Sequence, residues 1–197
     1  MYTPADHTFA ICAYGESPYL EELICSLTKQ TLPTTLLLAT STPNDLICNL
    51  CEKYNIKMYI NEGPGGIAGD WNFAVRCCTT PLVTIAHQDD IYKPTYAEEM
   101  LARINASSLP LIYFTNYGEL RDGREIDDNR LLSVKRRLLY SLGKPENASK
   151  QWVKRRALKL GCAICCPSVT LCLPNLELPV FEAGFGSNLD WQAWEKI

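Results

Sequence analysis

Leu82-Val83-Thr84-Ile85-Ala86-His87-Gln88-Asp89-Asp90 is the stretch on which the fold turns. A short apolar run of this kind, bounded by polar residues, reads as a buried strand. Ile91-Tyr92-Lys93-Pro94 follows, where the chain turns away. Paired carboxylates at the end of a buried strand, with no basic neighbour closer than Lys93, repel each other. A divalent cation placed between them and an anionic ligand relieves that repulsion, which points to a metal-dependent site for a phosphate-bearing substrate. A turn capped by two solvated aspartates is the other reading of the same residues.

Upstream of this strand, helices and strands alternate. Phe9–Ala13 is a short apolar strand, and Ser17-Pro18 signals a helix start with Leu20, Leu23, Ile24 and Leu27 on one face. Leu36–Ala39 is a second strand. Thr42-Pro43 repeats the cap signal before a helix that buries Leu46, Ile47, Leu50, Cys51 and Tyr54. Lys57–Ile60 is a third strand, and Trp71, Ala74, Val75 and Cys78 lie at helical spacing beyond it. Downstream, Thr95-x-x-Glu98 reads as a capping box for a helix burying Ala97, Met100, Leu101 and Ile104. Leu111–Phe114 is a fifth strand. This order predicts an α/β fold, a mostly parallel central sheet with helices on both faces.

The second half is less regular. Glu119–Asn129 reads as a polar loop, Arg130–Leu142 as a helix, Lys144–Ser149 as a linker and Gln151–Leu160 as a second basic helix. Cys162–Cys166 looks like a strand, and the chain ends on Asn188-Leu189-Asp190-Trp191-Gln192-Ala193-Trp194. The Lys135-Arg136-Arg137 run reads as a solvated face.

The 197 residues, 47% of them hydrophobic, suit one domain with a sizeable core. A net charge of −3 argues against general affinity for nucleic acid or anionic membrane. Residues 1–9 hold no basic region, and no apolar run is long enough for a membrane span, so a soluble cytoplasmic protein is expected. Ten cysteines include Cys48-x-x-Cys51 and Cys162-x-x-Cys165, which could hold one zinc. Cys48 and Cys51 fall in an apolar helical pattern, however, and neither pair has a glycine turn, so the thiols read as small hydrophobes. Asn105-Ala106-Ser107 and Asn147-Ala148-Ser149 match the glycosylation sequon without a sign of secretion.

In an open parallel sheet, ligands bind outside the carboxyl ends of the strands. Those ends offer Tyr14-Gly15-Glu16, Thr40-Ser41-Thr42, Asn61-Glu62-Gly63-Pro64-Gly65-Gly66 and His87–Asp90. An aromatic can stack a base, hydroxyls can bind a base edge or ribose, and a glycine loop opening a helix lets backbone amides approach an anion. The loop matches neither a P-loop nor G-x-G-x-x-G. Together these parts outline a nucleoside-diphosphate site.

These segments resemble family 2 glycosyltransferases of the GT-A fold, which is Rossmann-like, over essentially the whole chain. The resemblance rests on Phe9–Gln30, Gly66–Asn72, Val83–Tyr92, Gly161–Thr170 and Asp190–Trp194. It implies a single domain over 1–197, with a nucleotide-sugar-binding half (1–117) and an incomplete acceptor half (118–197). It also implies inverting transfer of a sugar from a nucleoside-diphosphate sugar to a glycan or lipid-linked acceptor, in cell-surface polysaccharide or glycan synthesis. Asp89 and Asp90 would take Mn2+ or Mg2+, although His87 stands where the family's Asp-x-Asp motif begins. Ala13, Tyr14, Glu16, Thr40, Ser41, Gly66, Asn72 and Gln88 would form the donor side, with Trp71 where arginine is common. Asp190 would be the catalytic base, with Ser168, Trp191 and Trp194 on the acceptor side. Family members normally continue beyond the equivalent of Ile197, so the resemblance describes a C-terminally short chain. A non-catalytic nucleotide-sugar-binding remnant and a cysteine-based zinc or redox protein are the alternatives.

Overall fold

Alternating helical and extended patterns give eight strands and seven helices in a computed structural model that describes residues 1–147, 149–184 and 188–197. The first half runs β1 (His7–Ala13), α1 (Leu20–Thr28), β2 (Thr35–Thr40), α2 (Asp45–Lys53), β3 (Lys57–Ile60), α3 (Ile67–Cys77), β4 (Leu82–His87), α4 (Tyr96–Asn105) and β5 (Ile112–Phe114). The second half adds β6 (Glu119–Arg121), β7 (Arg124–Ile126), α5 (Arg130–Leu139), α6 (Gln151–Leu158), β8 (Val169–Cys172) and α7 (Leu189–Lys196).

The central sheet has the order β3-β2-β1-β4-β8-β5. The first four strands are parallel, as the helical crossovers require. β8 is antiparallel to both β4 and β5, so the expected parallel neighbour of β4 is displaced by one strand. Polar side chains in the sheet specify this insertion. Thr84 on β4 lies opposite Thr170 on β8, with their hydroxyls 2.6 Å apart. The same cluster takes in His7 Nε2, 2.8 Å from the Thr84 hydroxyl, and the Tyr96 hydroxyl, 3.0 Å from that of Thr170. Burial drives His7 down to about 3, so its ring stays neutral and usable in this network.

Each face of the sheet carries its own apolar cluster. Phe9, Ile11, Leu38 and Leu82 pack against α1, α2 and α4, while Ala10, Leu37, Val83 and Leu171 face α3, α6 and α7. This is the helices-on-both-faces arrangement that the two-residue period of the strands demands.

The structure corrects several local expectations. α1 begins at Leu20, because Ser17-Pro18 form the turn before it; the Ser17 hydroxyl accepts from Tyr19 N. α2 is capped by Asn44, whose Oδ1 accepts from Ile47 N, and not by Thr42. Cys162–Cys165 is irregular, and the strand follows at Val169. Residues 119–126 form a hairpin rather than a loop, turned by Asp122-Gly123, both with positive φ. Asn105, from the first sequon, exchanges hydrogen bonds with the Tyr2 backbone; Ala148, in the second, lies outside the described residues.

The capping box expected at Thr95 does not form either, and Thr31 takes Glu98. Gln30 caps α4 from a distance: its Oε1 accepts from Ala97 N at 3.0 Å and its Nε2 donates to Lys93 O at 2.9 Å. Gln30 is buried, so Gln30→Ala leaves both groups without partners. The expected cost is about 2 kcal/mol in a urea unfolding curve. A variant as stable as the parent protein would show that water replaces the amide.

Candidate functional site

Parallel pairing puts the ends of β1, β2, β3 and β4 on one edge of the sheet, and antiparallel β8 brings Ser168 to that same edge. Gln88 ties two of these ends together, since its Oε1 accepts from Tyr14 N (2.9 Å) and its Nε2 donates to Tyr14 O (3.1 Å). Gly15 N donates to the Thr42 hydroxyl and Asn44 holds Gly15 O, so the loop after β1 is fastened to the loop after β2. Ala13 is buried beneath this junction, while the Tyr14 ring and Glu16 project into solvent. Thr40 is buried, with its hydroxyl accepting from Thr42 N, so its place is inside the turn.

The glycine loop meets the same edge through a residue that sequence reasoning passed over. Asp70, in the first turn of α3, accepts from Ser41 Oγ (3.1 Å) through one oxygen and from Asn61 Nδ2 (2.8 Å) through the other. A carboxylate there also complements the helix dipole. Asn61 Oδ1 in turn accepts from Gly63 N, which folds the loop. Gly66 caps α3 with φ near 89°, and a Cβ on Gly69 would stand 2.1 Å from Pro64 O. The only local sign of Asp70's task was an acidic residue just inside a helix start.

His87 stacks on Trp71, with ring centroids 4.7 Å apart and an interplanar angle of 21°. Burial pulls the imidazole down to about 4, so it is neutral near pH 7, and its Nε2 has no partner among the described residues. Asp90 is pushed up to about 6 by burial and by the neighbouring Asp89 charge. Asp90 N bonds His87 O, which closes the acidic turn, and Asp89 is exposed. Lys93 is paired with Glu125 and so leaves these carboxylates uncompensated.

That donor set fits a hard divalent cation. Mn2+ or Mg2+ takes one or two carboxylates and fills its remaining positions with waters and phosphate oxygens. Among the described residues, no group of three or more His, Cys, Asp or Glu side chains is gathered as a ready-made cage. The four-thiolate zinc reading from Cys48, Cys51, Cys162 and Cys165 therefore has no geometry behind it, and all ten cysteines are free.

A cleft of about 330 Å3 opens between this turn and the second half of the chain, lined by Trp71, His87, Lys135, Cys162 and Asp190 among others. Asp190, in the first turn of α7, is held by Trp191 N at 2.8 Å on Oδ1 and by the Cys162 thiol at 3.4 Å on Oδ2. Lys135 reaches the cleft from α5 with its Nζ on the Tyr117 hydroxyl. Nothing in the basic run around it distinguishes Lys135 in the sequence; only packing does.

The remaining expected residues have visible structural tasks. Asn72 exchanges two hydrogen bonds with the Phe181 backbone, pinning that segment to α3. Ser168 is buried and donates to Cys165 O. Trp194 is a core residue, edge-on to Phe181, and Trp191 is partly buried against the same cluster.

The fold is that of known nucleotide-sugar enzymes. Glucosyl-3-phosphoglycerate synthase from Mycobacterium tuberculosis, solved with Mn2+ and UDP-glucose, superposes with a TM-score of 0.58 at 12% identity, covering 86% of this chain and 57% of that one. The mannosyltransferase PcManGT from Pyrobaculum calidifontis, with GDP-Man and Mn2+, gives 0.53 at 16% identity, over 81% of this chain and 54% of that one. TarS 1-349 from S. aureus, with UDP, gives 0.52 at 18% identity, over 81% and 56%. The chain thus spans little more than half the length of these proteins. A comparison with curated protein sequences gives no significant match. The model of glycosyl transferase family 2 matches residues 8–162, from β1 to Cys162, which lines the cleft. With most of the chain inside that match and the GT-A sheet around the acidic turn, this protein belongs to glycosyl transferase family 2.

Proposed function

We propose that this chain is an inverting glycosyltransferase, moving a sugar from a nucleoside-diphosphate donor to a hydroxyl acceptor. The observation that carries this reading is the cleft in which Asp190 meets His87 and Trp71, beside the Asp89-Asp90 turn. The nucleotides bound by the structural neighbours, UDP, UDP-glucose and GDP-Man, support a nucleoside-diphosphate sugar as donor. Their Mn2+ supports a divalent cation. Ten free thiols suit a reducing, cytoplasmic setting.

In this reading the exposed Tyr14 face receives the nucleoside base, and its polar groups are taken by Glu16 and by Ser41, which follows the Ala13–Thr40 pairing of β1 with β2. Asp89 and Asp90 hold Mn2+ or Mg2+ by their carboxylate oxygens. Bound there, the metal supplies positive charge for the diphosphate leaving group. Asp190 accepts the proton of the acceptor hydroxyl at its carboxylate, so that the oxygen can attack the anomeric carbon opposite the departing diphosphate. Gln88 keeps Tyr14 and the acidic turn in fixed relation, an orientation task rather than a chemical one. A glycan or lipid-linked acceptor in cell-surface polysaccharide synthesis belongs to the same proposal.

The test is thermal stabilisation against a panel of nucleoside-diphosphate sugars, with and without Mn2+. One donor should raise Tm only when Mn2+ is present, and Asp89→Ala should abolish that shift. Stabilisation that ignores Mn2+, or that survives Asp89→Ala, removes the metal from the scheme. No shift with any donor removes the donor site.

A further inference from the structure

The net charge of −3 conceals a steep division of charge. Residues 130–160 carry ten Lys and Arg against the single acid Glu146, a net of +9, so the rest of the chain carries −12. This stretch forms α5, α6 and their connection, and the two helices pack on one another. Their inner faces are filled by Leu132, Leu139, Val153, Ala157 and Leu158, all buried. The outer faces therefore carry most of the cations, while Lys135 turns into the cleft.

Two observations set this surface apart from an ordinary solvated helix face. The first is that its charge is uncompensated: among the described residues, only Arg136 pairs with a carboxylate, Asp127. The second is its apolar content. Leu131, Val134, Tyr140, Trp152 and Leu160 are each half exposed or more, although every one is costly to leave in water. Trp152 is 64% exposed and lies at i, i+3 and i+4 from Arg155 and Arg156. A large indole flanked by guanidinium groups is the composition of an interfacial helix, with its ring at headgroup depth and its cations on the phosphates. Among the described residues no helix is long and apolar enough to cross a bilayer, and the contact proposed is a peripheral one.

We propose that the outer face of α5 and α6 docks on an anionic lipid bilayer. Charge complementarity selects the partner, since a phospholipid surface offers dense phosphates for the cations and an apolar layer for Trp152 and Leu160 together. A polyanion in solution meets only the first requirement. α6 also packs on α7, the helix that carries Asp190, so a docked protein holds its cleft close to the membrane surface. This inference stands whether or not the cleft transfers sugar.

The full chain should cosediment with vesicles of phosphatidylcholine containing about one-third phosphatidylglycerol, and not with pure phosphatidylcholine. Trp152 fluorescence should shift to the blue on binding, because the other tryptophans are already partly or fully buried. Each surface cation is worth roughly fivefold in partition. Replacing Arg137, Arg155, Arg156 and Lys159 together by Gln should thus weaken binding by about a hundredfold or more. Trp152→Ser should weaken binding on its own and abolish the shift. All five residues lie away from the cleft, so circular dichroism and donor-induced stabilisation should stay unchanged and serve as the folding control. The proposal is overturned by vesicle binding that ignores lipid charge or survives the fourfold variant. It is equally overturned if heparin binds while anionic vesicles do not, or if the wild-type chain forms dimers that the fourfold variant breaks and binds no vesicles.

Discussion

Asp190→Asn is expected to bind donor like the parent protein and to lose about 10²–10⁴-fold in the rate of sugar transfer, the usual contribution of a positioned general base. Asparagine matches aspartate in shape, and its Oδ1 can still accept from Trp191 N, as Asp190 Oδ1 does at 2.8 Å. The start of α7 should therefore stay in place, and what disappears is the ability to take a proton. Single-turnover measurement with saturating donor separates the two effects, because binding and chemistry are read independently. Undiminished transfer would move the base elsewhere in the cleft. Lost donor binding would make Asp190 a structural residue. If the parent protein binds a donor with Mn2+ yet transfers to no hydroxyl acceptor, the chain is a nucleotide-sugar-binding remnant of its family.

Gly69→Ala should cost about 3 kcal/mol, at the upper end for an overpacked interior site, and should lower Tm by roughly 6–12 °C for a chain of this size. Helix propensity alone predicts the opposite, since alanine in a helix is favoured over glycine by up to ~1 kcal/mol. The clash decides the sign. A Cβ on Gly69 would lie 2.1 Å from Pro64 O and 3.1 Å from Pro64 C, and both partners are backbone, which cannot rotate aside. Relief must come from moving the 61–66 loop off α3, which also loosens the Asp70–Asn61 contact at the sheet edge. Gly65→Ala is the control, because nothing lies within 4 Å of a Cβ there. Equal stability of the two variants would mean that the loop yields freely and does not shape the site.

Much of the sheet could be read along the chain because its code is local. Leu20, Leu23, Ile24 and Leu27, and likewise Ala97, Met100, Leu101 and Ile104, announce buried helix faces by spacing alone, and all eight are buried. The strand before Asp89 and the strand at Lys57–Ile60 were equally clear. What failed was contact between distant segments. Gln30, not Thr95, caps α4, from 67 residues away. Thr84 and Thr170 are 86 residues apart, and their pairing inserts β8 beside β4. The Asp122-Gly123 hairpin was a local signal that polar composition masked.

By itself, the sequence determined the α/β class, the strand ends that share one edge, and an acidic turn at one of them. Each follows from periodicity or from like charges set side by side. Only the tertiary structure decided that Asp70 clasps Ser41 and Asn61, and that Lys135, Asp190 and His87 line one cleft. It also left most of the cations of two packed helices exposed and without a carboxylate partner among the described residues. Such meetings depend on which surfaces pack, and packing is settled by the summed burial of many side chains rather than by any residue's neighbours in the chain.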